Sequence, residues 1–513
     1  MGNWGSGYVT DIEYADGFYA AQSPSHLALA ATINGIESPD FDTPFTCCEL
    51  GCGRGQTSLV LAALNPESEF HAVDFHPSHI AYAQEQARRA QLNNITLHEC
   101  SFADLTGGRG PSLPMFDVIT MHGVWSWIAP ELQQAILNFI NARLKPGGFV
   151  YVSYNALPAW NHVMPLQKVV RELAGTAPER SDFAVARALE QLSRLAELKI
   201  IPERYQSEIK RMRSSVHSML SYLAHEYLNE HWQPLYHADV VRSLAGAKLS
   251  FAACTDLLKN FYNLSLTEEQ RKYLADVPVA EVRETLKDFC TDHWFRQDLF
   301  VRGIRRMSAD KREKRLLAQQ LTLLRPATEM IEVNRPDGSK WVPDPRVYQA
   351  VIQALGERPR TLRELLTLEG LPRDHQVGPV ELVGVLVGVG IAGFYKKPSI
   401  AEQAAADRFN ALQNSDEEAA LSKGLTLAVP AARTGVTLSA AHYALYSALR
   451  RGESPSASAL AESFIERCRA RGGHPVIDGE EIRDDDKALT AVTKDYQLKI
   501  DRLVPVWRGM GIV

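Results

Sequence analysis

The stretch Cys47-Cys48-Glu49-Leu50-Gly51-Cys52-Gly53-Arg54-Gly55 sets three glycines at alternate positions behind an acid. Glycine lets a chain turn sharply and brings backbone amides close to a ligand. At the carboxyl end of a strand in an α/β sheet, such a turn cradles a nucleotide-like molecule. The spacing differs from the dinucleotide fingerprint G-x-G-x-x-G, and a tight strand-to-helix turn is the alternative reading. About twenty residues on, Val73-Asp74-Phe75 closes a second apolar run, where a carboxylate can accept hydrogen bonds from both hydroxyls of a ribose. Asp74 can equally cap a helix starting near Pro77, and the two roles are compatible. Ser101, Phe102 and Asp104 follow a third apolar run, where an adenine edge would lie.

Positioning these residues requires a parallel sheet covered on both faces, which the alternation of short apolar runs and amphipathic stretches predicts. Strands are expected at 46–50, 69–73, 95–99, 116–121 and 148–154, with helices at 56–64, 77–91 and 130–143. After Tyr154 the alternation gives way to long helical periodicity at 165–213. Residues 222–228 then read as a strand, 237–244 as a helix and 249–253 as another strand. The expected division is a core at 1–160, a helical insertion over the ligand edge at 161–221 and completion of the sheet at 222–262. A remaining middle region follows at 263–325. A hairpin and small helical domain are expected at 326–398, with the turn at Arg335-Pro336-Asp337-Gly338 and a capping box at Thr361-Leu362-Arg363-Glu364. A mostly helical domain is expected at 399–513, with loops at 452–456 and 472–479.

The 513 residues exceed what one hydrophobic core organises. A chain that is 45% hydrophobic and 23% charged is neither disordered nor a disulfide scaffold. With 55 Lys+Arg against 61 Asp+Glu, no global field draws it to nucleic acid or anionic membrane. The seven cysteines lack zinc-ligand spacing and read as reduced thiols, so no metal is expected. Residues 1–7 lack the pattern of a signal peptide. The segment 377–394 carries Glu381 and five glycines, which argues against a membrane span. A soluble, cytoplasmic protein without membrane insertion is expected. The seven basic residues of 302–315 read as a solvated helix face. Three short helices beside a hairpin suggest a winged-helix-like arrangement, yet the third, from Pro379, offers no side chain to read bases or grip phosphate.

The glycine loop and Asp74 together resemble the class I S-adenosylmethionine (SAM)-dependent methyltransferases over residues 40–155. That resemblance implies a Rossmann-like seven-stranded α/β core with SAM as cofactor. Cofactor contacts would come from Glu49, Gly51, Cys52, Gly53 and Gly55, from Asp74 with Phe75, from Ser101 and Phe102, and from His122. Many members have Asp where Ser101 stands. A narrower resemblance lies in Met121-His122-Gly123-Val124-Trp125-Ser126-Trp127-Ile128, in Val152-Ser153-Tyr154-Asn155-Ala156-Leu157-Pro158-Ala159-Trp160, in the stretch from His225-Glu226-Tyr227-Leu228 to Pro234-Leu235-Tyr236, and in Phe295-Arg296-Gln297-Asp298. These are similar to the rickettsial-type protein lysine methyltransferases with their methyltransferase regulatory domain, over about residues 10–310. The glycine loop departs from those enzymes in reading Gly-Arg-Gly-Gln.

Methyl transfer needs an in-line nucleophile at close range, and a lysine amine must first be neutral, a state that an apolar pocket favours. Trp125, Trp127, Tyr154 and Trp160, at the ends of the fourth and fifth strands, could wall such a pocket, with core packing as the alternative reading of each. His122 could take a proton or simply bond backbone, and Asn155 could orient the amine. His225 and Glu226, if they end the sixth strand, would face the same cavity, with a structural salt bridge as the equal alternative. Tyr14, Tyr19 and His26 could close over it. The expected activity is methyl transfer to a protein lysine amine. The alternatives are a small-molecule N- or O-methyltransferase and a noncatalytic SAM-binding module. No N/D-P-P-Y-type motif follows the fourth strand, so nucleic acid is not an expected substrate. The helical insertion offers a surface for a homodimer.

Overall fold

The computed structural model describes residues 5, 7–14, 17–106, 109–214, 216–326, 331–335, 338–470, 472–477 and 480–513. Residues 1–4 and 6 of the chain start, Pro336 and Asp337 of the expected turn, and residues 471, 478 and 479 around the last expected loop lie outside them.

A seven-stranded sheet is built from β1 (Thr46–Leu50), β2 (Glu69–Asp74), β3 (Ile95–Glu99), β4 (Phe116–Met121), β5 (Leu144–Asn155), β6 (Leu249–Cys254) and β7 (Phe295–Arg302). Its order is β3-β2-β1-β4-β5-β7-β6. The first five strands run parallel, and β7 runs antiparallel to both of its neighbours. Near-continuous burial of β1, β2, β4 and β5 fits strands covered on both faces. The helices α2 (Gln56–Leu64), α3 (Pro77–Arg89) and α4 (Pro130–Arg143) accompany the first five strands, and α1 (Pro24–Ile33) lies against β6 and β7.

Beyond β5, the chain forms α5 (Met164–Ala174), α6 (Ser181–Glu197), α7 (Gln206–Ser214), α8 (Val216–Leu228) and α9 (His237–Ala245). Residues 222–228 are therefore helix, where a strand was expected. Leu220, Leu223, Ala224 and Tyr227 recur at helical spacing and pack with Val170 of α5 and Leu189 and Leu192 of α6 in one apolar cluster. β6 is the strand expected at 249–253, and the place expected for 222–228 is taken by β7, a strand the hydrophobic pattern hides. Along β7, Arg296 and Asp298 alternate with Phe295 and Gln297, yet both charged residues are fully buried. Arg296 donates to Asp298 at 2.8 Å, to Asp288 at 2.7 and 2.9 Å and to Glu284 at 3.1 Å, so the buried cation is surrounded by carboxylates.

The basic residues of 302–315 serve largely as ties within the fold. Arg302 donates to the carbonyls of Asn141 and Leu144 at the end of α4, and Arg312 to that of Ile33 at the end of α1. Lys311 pairs with Glu37.

Further on, helices Pro345–Glu357, Leu362–Leu366 and Pro379–Gly388 accompany a three-stranded sheet, with the Thr361/Glu364 capping box in place. Helix Pro379–Gly388 buries Leu382, Val383, Val385 and Leu386, and its glycines admit neighbours closely. A Cβ on Gly384 would lie 2.3 Å from Phe261 Cζ, and one on Gly388 2.9 Å from Leu258. Gly384→Val is thus expected to destabilise the protein by about 3 kcal/mol or more through overpacking. The urea midpoint, measured alongside calorimetric cofactor binding, checks this. The glycine-rich segment is a packing surface, and among the described residues no helix is long and apolar enough to cross a membrane. Within 399–513, a hairpin of strands Leu425–Val429 and Thr434–Leu438 joins the expected helices. The described residues of the expected 335–338 turn close through Arg335 N–H to Ser339 O at 2.8 Å.

Candidate active site

A cavity of about 600 Å³ opens at the carboxyl ends of β1, β2, β4 and β5. One side of it is the glycine loop. Gly51, Gly53 and Gly55 have φ of 72°, 54° and 77°, a region open mainly to glycine. The amides of Gly51 and Cys52 donate to Val73 O at 2.8 and 3.1 Å, drawing the loop over the end of β2. Nothing lies within 4 Å of a Cβ built on Gly53, which borders the open space. Gly55 does not line the cavity. It stands before α2, and its Cβ would sit 3.0 Å from Ala83 of α3.

Asp74 lines the cavity from the end of β2. Its Oδ2 accepts Gly53 N–H at 2.9 Å and its Oδ1 accepts His76 N–H at 2.9 Å. Each oxygen keeps lone-pair capacity for a further donor. Glu49 is buried beneath the loop and accepts from Gln22 Nε2 at 3.2 Å and from Ser58 Oγ. Burial pushes its carboxyl up to about 7, against the pull of those two donors. Cys52, Phe75, Ser101, Phe102 and Asp104 complete this end, together with Arg54 and Thr57.

His122, in the loop after β4, has Nδ1 2.8 Å from Tyr151 Oη and lies flat against Tyr19, ring centroids 3.6 Å apart. Burial lowers its pKa to about 3, which makes it neutral and a weak base. An imidazole that weak does not favour the proton-acceptor role expected of His122.

A buried carboxyl stands at the other end of the cavity. Glu226, on α8, is 3% exposed, and its Oε1 accepts from Asn155 Nδ2 at 2.7 Å and Trp232 Nε1 at 3.1 Å. Burial raises its carboxyl to about 7, with hydrogen bonds from Asn155, Trp232 and Tyr222 opposing the rise. Tyr8, Tyr14, Tyr222, Trp127, Trp160 and Phe295 also border the cavity, giving it a largely aromatic wall. Trp160 is fixed by its Nε1–H to Trp294 O at 2.8 Å.

Of the expected acceptor residues, Asn155, Trp127, Trp160 and Glu226 reach the cavity, whereas Trp125, Tyr154 and His225 do not. Trp125 is 1% exposed within the apolar core beside α4. Tyr154 alternates with Asn155 along β5 and so points to the opposite face, where its Oη donates to Asp298 Oδ2 at 2.7 Å. Tyr154→Phe is expected to cost about 1–3 kcal/mol of stability while leaving cofactor affinity unchanged. Thermal unfolding and calorimetric titration of the same sample check both. His225 sits behind the wall, its ring 5.4 Å from that of Tyr8 and 5.0 Å from that of Tyr14. Of the expected lid residues, Tyr14 and Tyr19 line the cavity, while His26 bonds Thr255 O at 2.7 Å elsewhere.

The sequence reading missed Tyr8, Tyr222, Phe295, Arg54 and Thr57 as lining residues. Helical periodicity through Tyr222 and Glu226 was the available signal for one of them. Tyr8 carried none, since its place depends on the N-terminal segment crossing to the insertion, where Ser181 N–H donates to Asp11 Oδ2 at 2.7 Å.

A parallel sheet extended by an antiparallel seventh strand, with a glycine loop after the first strand and an acid ending the second, defines a class I methyltransferase core. The chain matches a methyltransferase domain over residues 48–150 and a predicted methyltransferase regulatory domain over residues 220–302. It is 34% identical over 364 residues to an uncharacterised protein of Synechocystis, covering 71% of each chain. The chain belongs to the class I SAM-dependent methyltransferases that carry this regulatory domain, and SAM is its cofactor. An uncharacterised protein of Rickettsia prowazekii is 27% identical over 313 residues, covering 58% of this chain and 54% of that one. The same fold occurs in PKMT2 from Rickettsia typhi, whose structure is known in complex with AdoHcy. The TM-score is 0.63 at 19% identity, over 97% of this chain and 99% of that one.

The residues present fit that cofactor. The open approach at Gly53 leaves room beside the loop, and the spare lone pairs of Asp74 suit ribose hydroxyls. The rings of Phe75 and Phe102 offer apolar surface for a base.

The raised carboxyl of Glu49 makes a pH prediction. Its folded pKa of about 7 lies above the ordinary 4.5, so its contribution to stability is complete below about pH 4.5 and is lost as pH rises to about 7. Relative to Glu49→Gln, the wild type should lose roughly 3 kcal/mol of unfolding free energy across that window. Parallel urea titrations at pH 5 and pH 8 measure the difference.

Proposed function

We propose that this methyltransferase transfers methyl groups to a protein amine, the ε-amino group of lysine. The observation that carries the reading is the buried Glu226 carboxylate, held by Asn155 and Trp232, in a cavity with aromatic walls. When bound, SAM supplies an electrophilic methyl on a sulfonium. A lysine arrives as an ammonium ion, which aromatic faces attract and an anionic Glu226 pairs with. It must lose a proton before its lone pair can attack, and a carboxyl titrating near 7 is suited to accept that proton at neutral pH. The amide oxygen of Asn155, whose Nδ2 is committed to Glu226, is free to accept an N–H and orient the amine. A carboxylate acceptor would meet like charge here.

A protein substrate is favoured by the size of the region beyond the core and by the resemblance to the rickettsial-type protein lysine methyltransferases. The test is label transfer from methyl-tritiated SAM into cell extract, followed by separation of proteins from metabolites and by mild alkali. The reading expects alkali-stable label in protein. Label in small metabolites, or label released as methanol from esters, would contradict it.

A further inference from the structure

We infer that the hairpin Leu425–Val429/Thr434–Leu438, in the last third of the chain, belongs to the framework of the cofactor site: it seats Phe18 and thereby holds the segment 17–22 against the glycine-loop end of the cavity. This inference rests on the cofactor site alone and is independent of which acceptor is methylated.

The hairpin and helix Ile400–Gln413 pack on α2, the helix that the glycine loop opens. Every residue of α2 from Thr57 to Leu64 is buried. A surface helix of an α/β core would keep a polar outer stripe; α2 has none because the sheet covers one side and the C-terminal region the other.

At the hairpin's end the contact reaches the N-terminal segment itself. A Cβ on Gly435 would lie 2.8 Å from Phe18 Cε1 and 2.9 Å from Cδ1 and Cζ. The backbone of Gly435 is not left-handed, so a side chain is excluded there by the Phe18 ring and not by conformation. The neighbouring turn residue Arg433 ties the same corner. It pairs with Asp42 at 2.9 Å and donates to Phe41 O at 3.2 Å, and its own carbonyl accepts Ser25 Oγ at 3.5 Å.

Phe18 lies between two lining residues, Gly17 and Tyr19. Tyr19 N–H donates to Thr57 Oγ1 at 3.2 Å, and that hydroxyl donates to Gly17 O at 3.4 Å. The Tyr19 ring stacks on His122, and Gln22, a turn later, donates to Glu49. Displacing Phe18 therefore shifts walls contributed by three separate parts of the cofactor site. Binding is strongest when such walls are already ordered, since ordering them on binding subtracts from affinity. Phe18 and Gly435 are positioning residues, acting through Tyr19 and Gln22.

The test uses the full-length protein and S-adenosylhomocysteine, read by calorimetry and by hydrogen exchange. Gly435→Val is expected to weaken binding about tenfold and to speed exchange of the Tyr19 amide at least about fivefold. Gly435→Ala should give a smaller loss in the same direction, which keeps the test informative should the larger side chain impair folding. Phe18→Ala removes the seated ring and should weaken binding in the same direction, with faster exchange of the Tyr19 amide. Affinity within twofold of wild type in both Gly435 variants, or in Phe18→Ala, would overturn the inference. No acceptor enters this titration, so failure of the lysine reading would leave its result unchanged.

Discussion

Replacing Asp74 with alanine is expected to weaken S-adenosylhomocysteine binding at least about 100-fold, since two hydrogen bonds from ribose hydroxyls to a carboxylate are worth about 1.5–3 kcal/mol each. The carboxylate has a second task that deepens the loss. Its two oxygens hold the amides of Gly53 and His76, so truncation releases the glycine loop together with the cofactor's anchor. Asp74→Asn separates the two tasks. One oxygen remains, but an amide NH₂ now faces a backbone N–H, and donor meets donor. An intermediate loss of about tenfold is expected for this variant. Calorimetric titration gives the affinities and circular dichroism confirms that the sheet persists. Wild-type affinity in Asp74→Ala would remove Asp74 from the site.

Glu226→Gln is expected to reduce kcat about 100-fold, within the usual range for loss of a positioned proton acceptor, with S-adenosylhomocysteine affinity unchanged. Glutamine is the informative substitution because its amide oxygen can still accept from Asn155 and Trp232. Alanine would strand both buried donors at about 1–3 kcal/mol each. The pH dependence carries the finer test. The Glu226 carboxyl titrates near 7, so the ionised form that accepts a proton grows as pH rises through that value. In the wild type, log kcat should rise with pH and level off above about 7. In Glu226→Gln that inflection should vanish, leaving a residual rate governed by the amine itself. A variant with a lower rate but the same inflection would assign the titration elsewhere.

How much of this was legible in the chain depends on whether the information was local. The glycine loop could be read because alternate positions with positive φ demand glycine, and Asp74 because it ends an apolar run. The parallel half of the sheet followed from the same kind of pattern. Strand β7 escaped because Arg296 and Asp298 look like surface residues until Asp288 and Glu284, from the helix Ala280–Thr291, are seen to surround the guanidinium. Burial of a charge depends on partners brought by folding, and no window along the chain reports it.

Glu226 illustrates a different limit. Its proximity to the cavity was expected, but from a strand end. It arrives from α8, whose spacing at Leu220, Leu223, Ala224 and Tyr227 marks a helix. Tyr154 and Asn155 show why residue type alone misleads. Neighbours on a strand face opposite ways, and which of the two meets the ligand is decided by the layers packed above and below. The last third of the chain, with no evident chemistry of its own, meets the cofactor site through Gly435 and Phe18, a contact between residues more than four hundred positions apart.

Whether lysine is the methyl acceptor is decided by a mass-spectrometric comparison of proteins from cells carrying the wild-type enzyme and cells carrying Asp74→Ala. Peptides bearing methylated lysine are expected in the first sample and their unmodified forms in the second. Identical lysine methylation in both, with the difference confined to a methylated metabolite, would contradict the lysine reading.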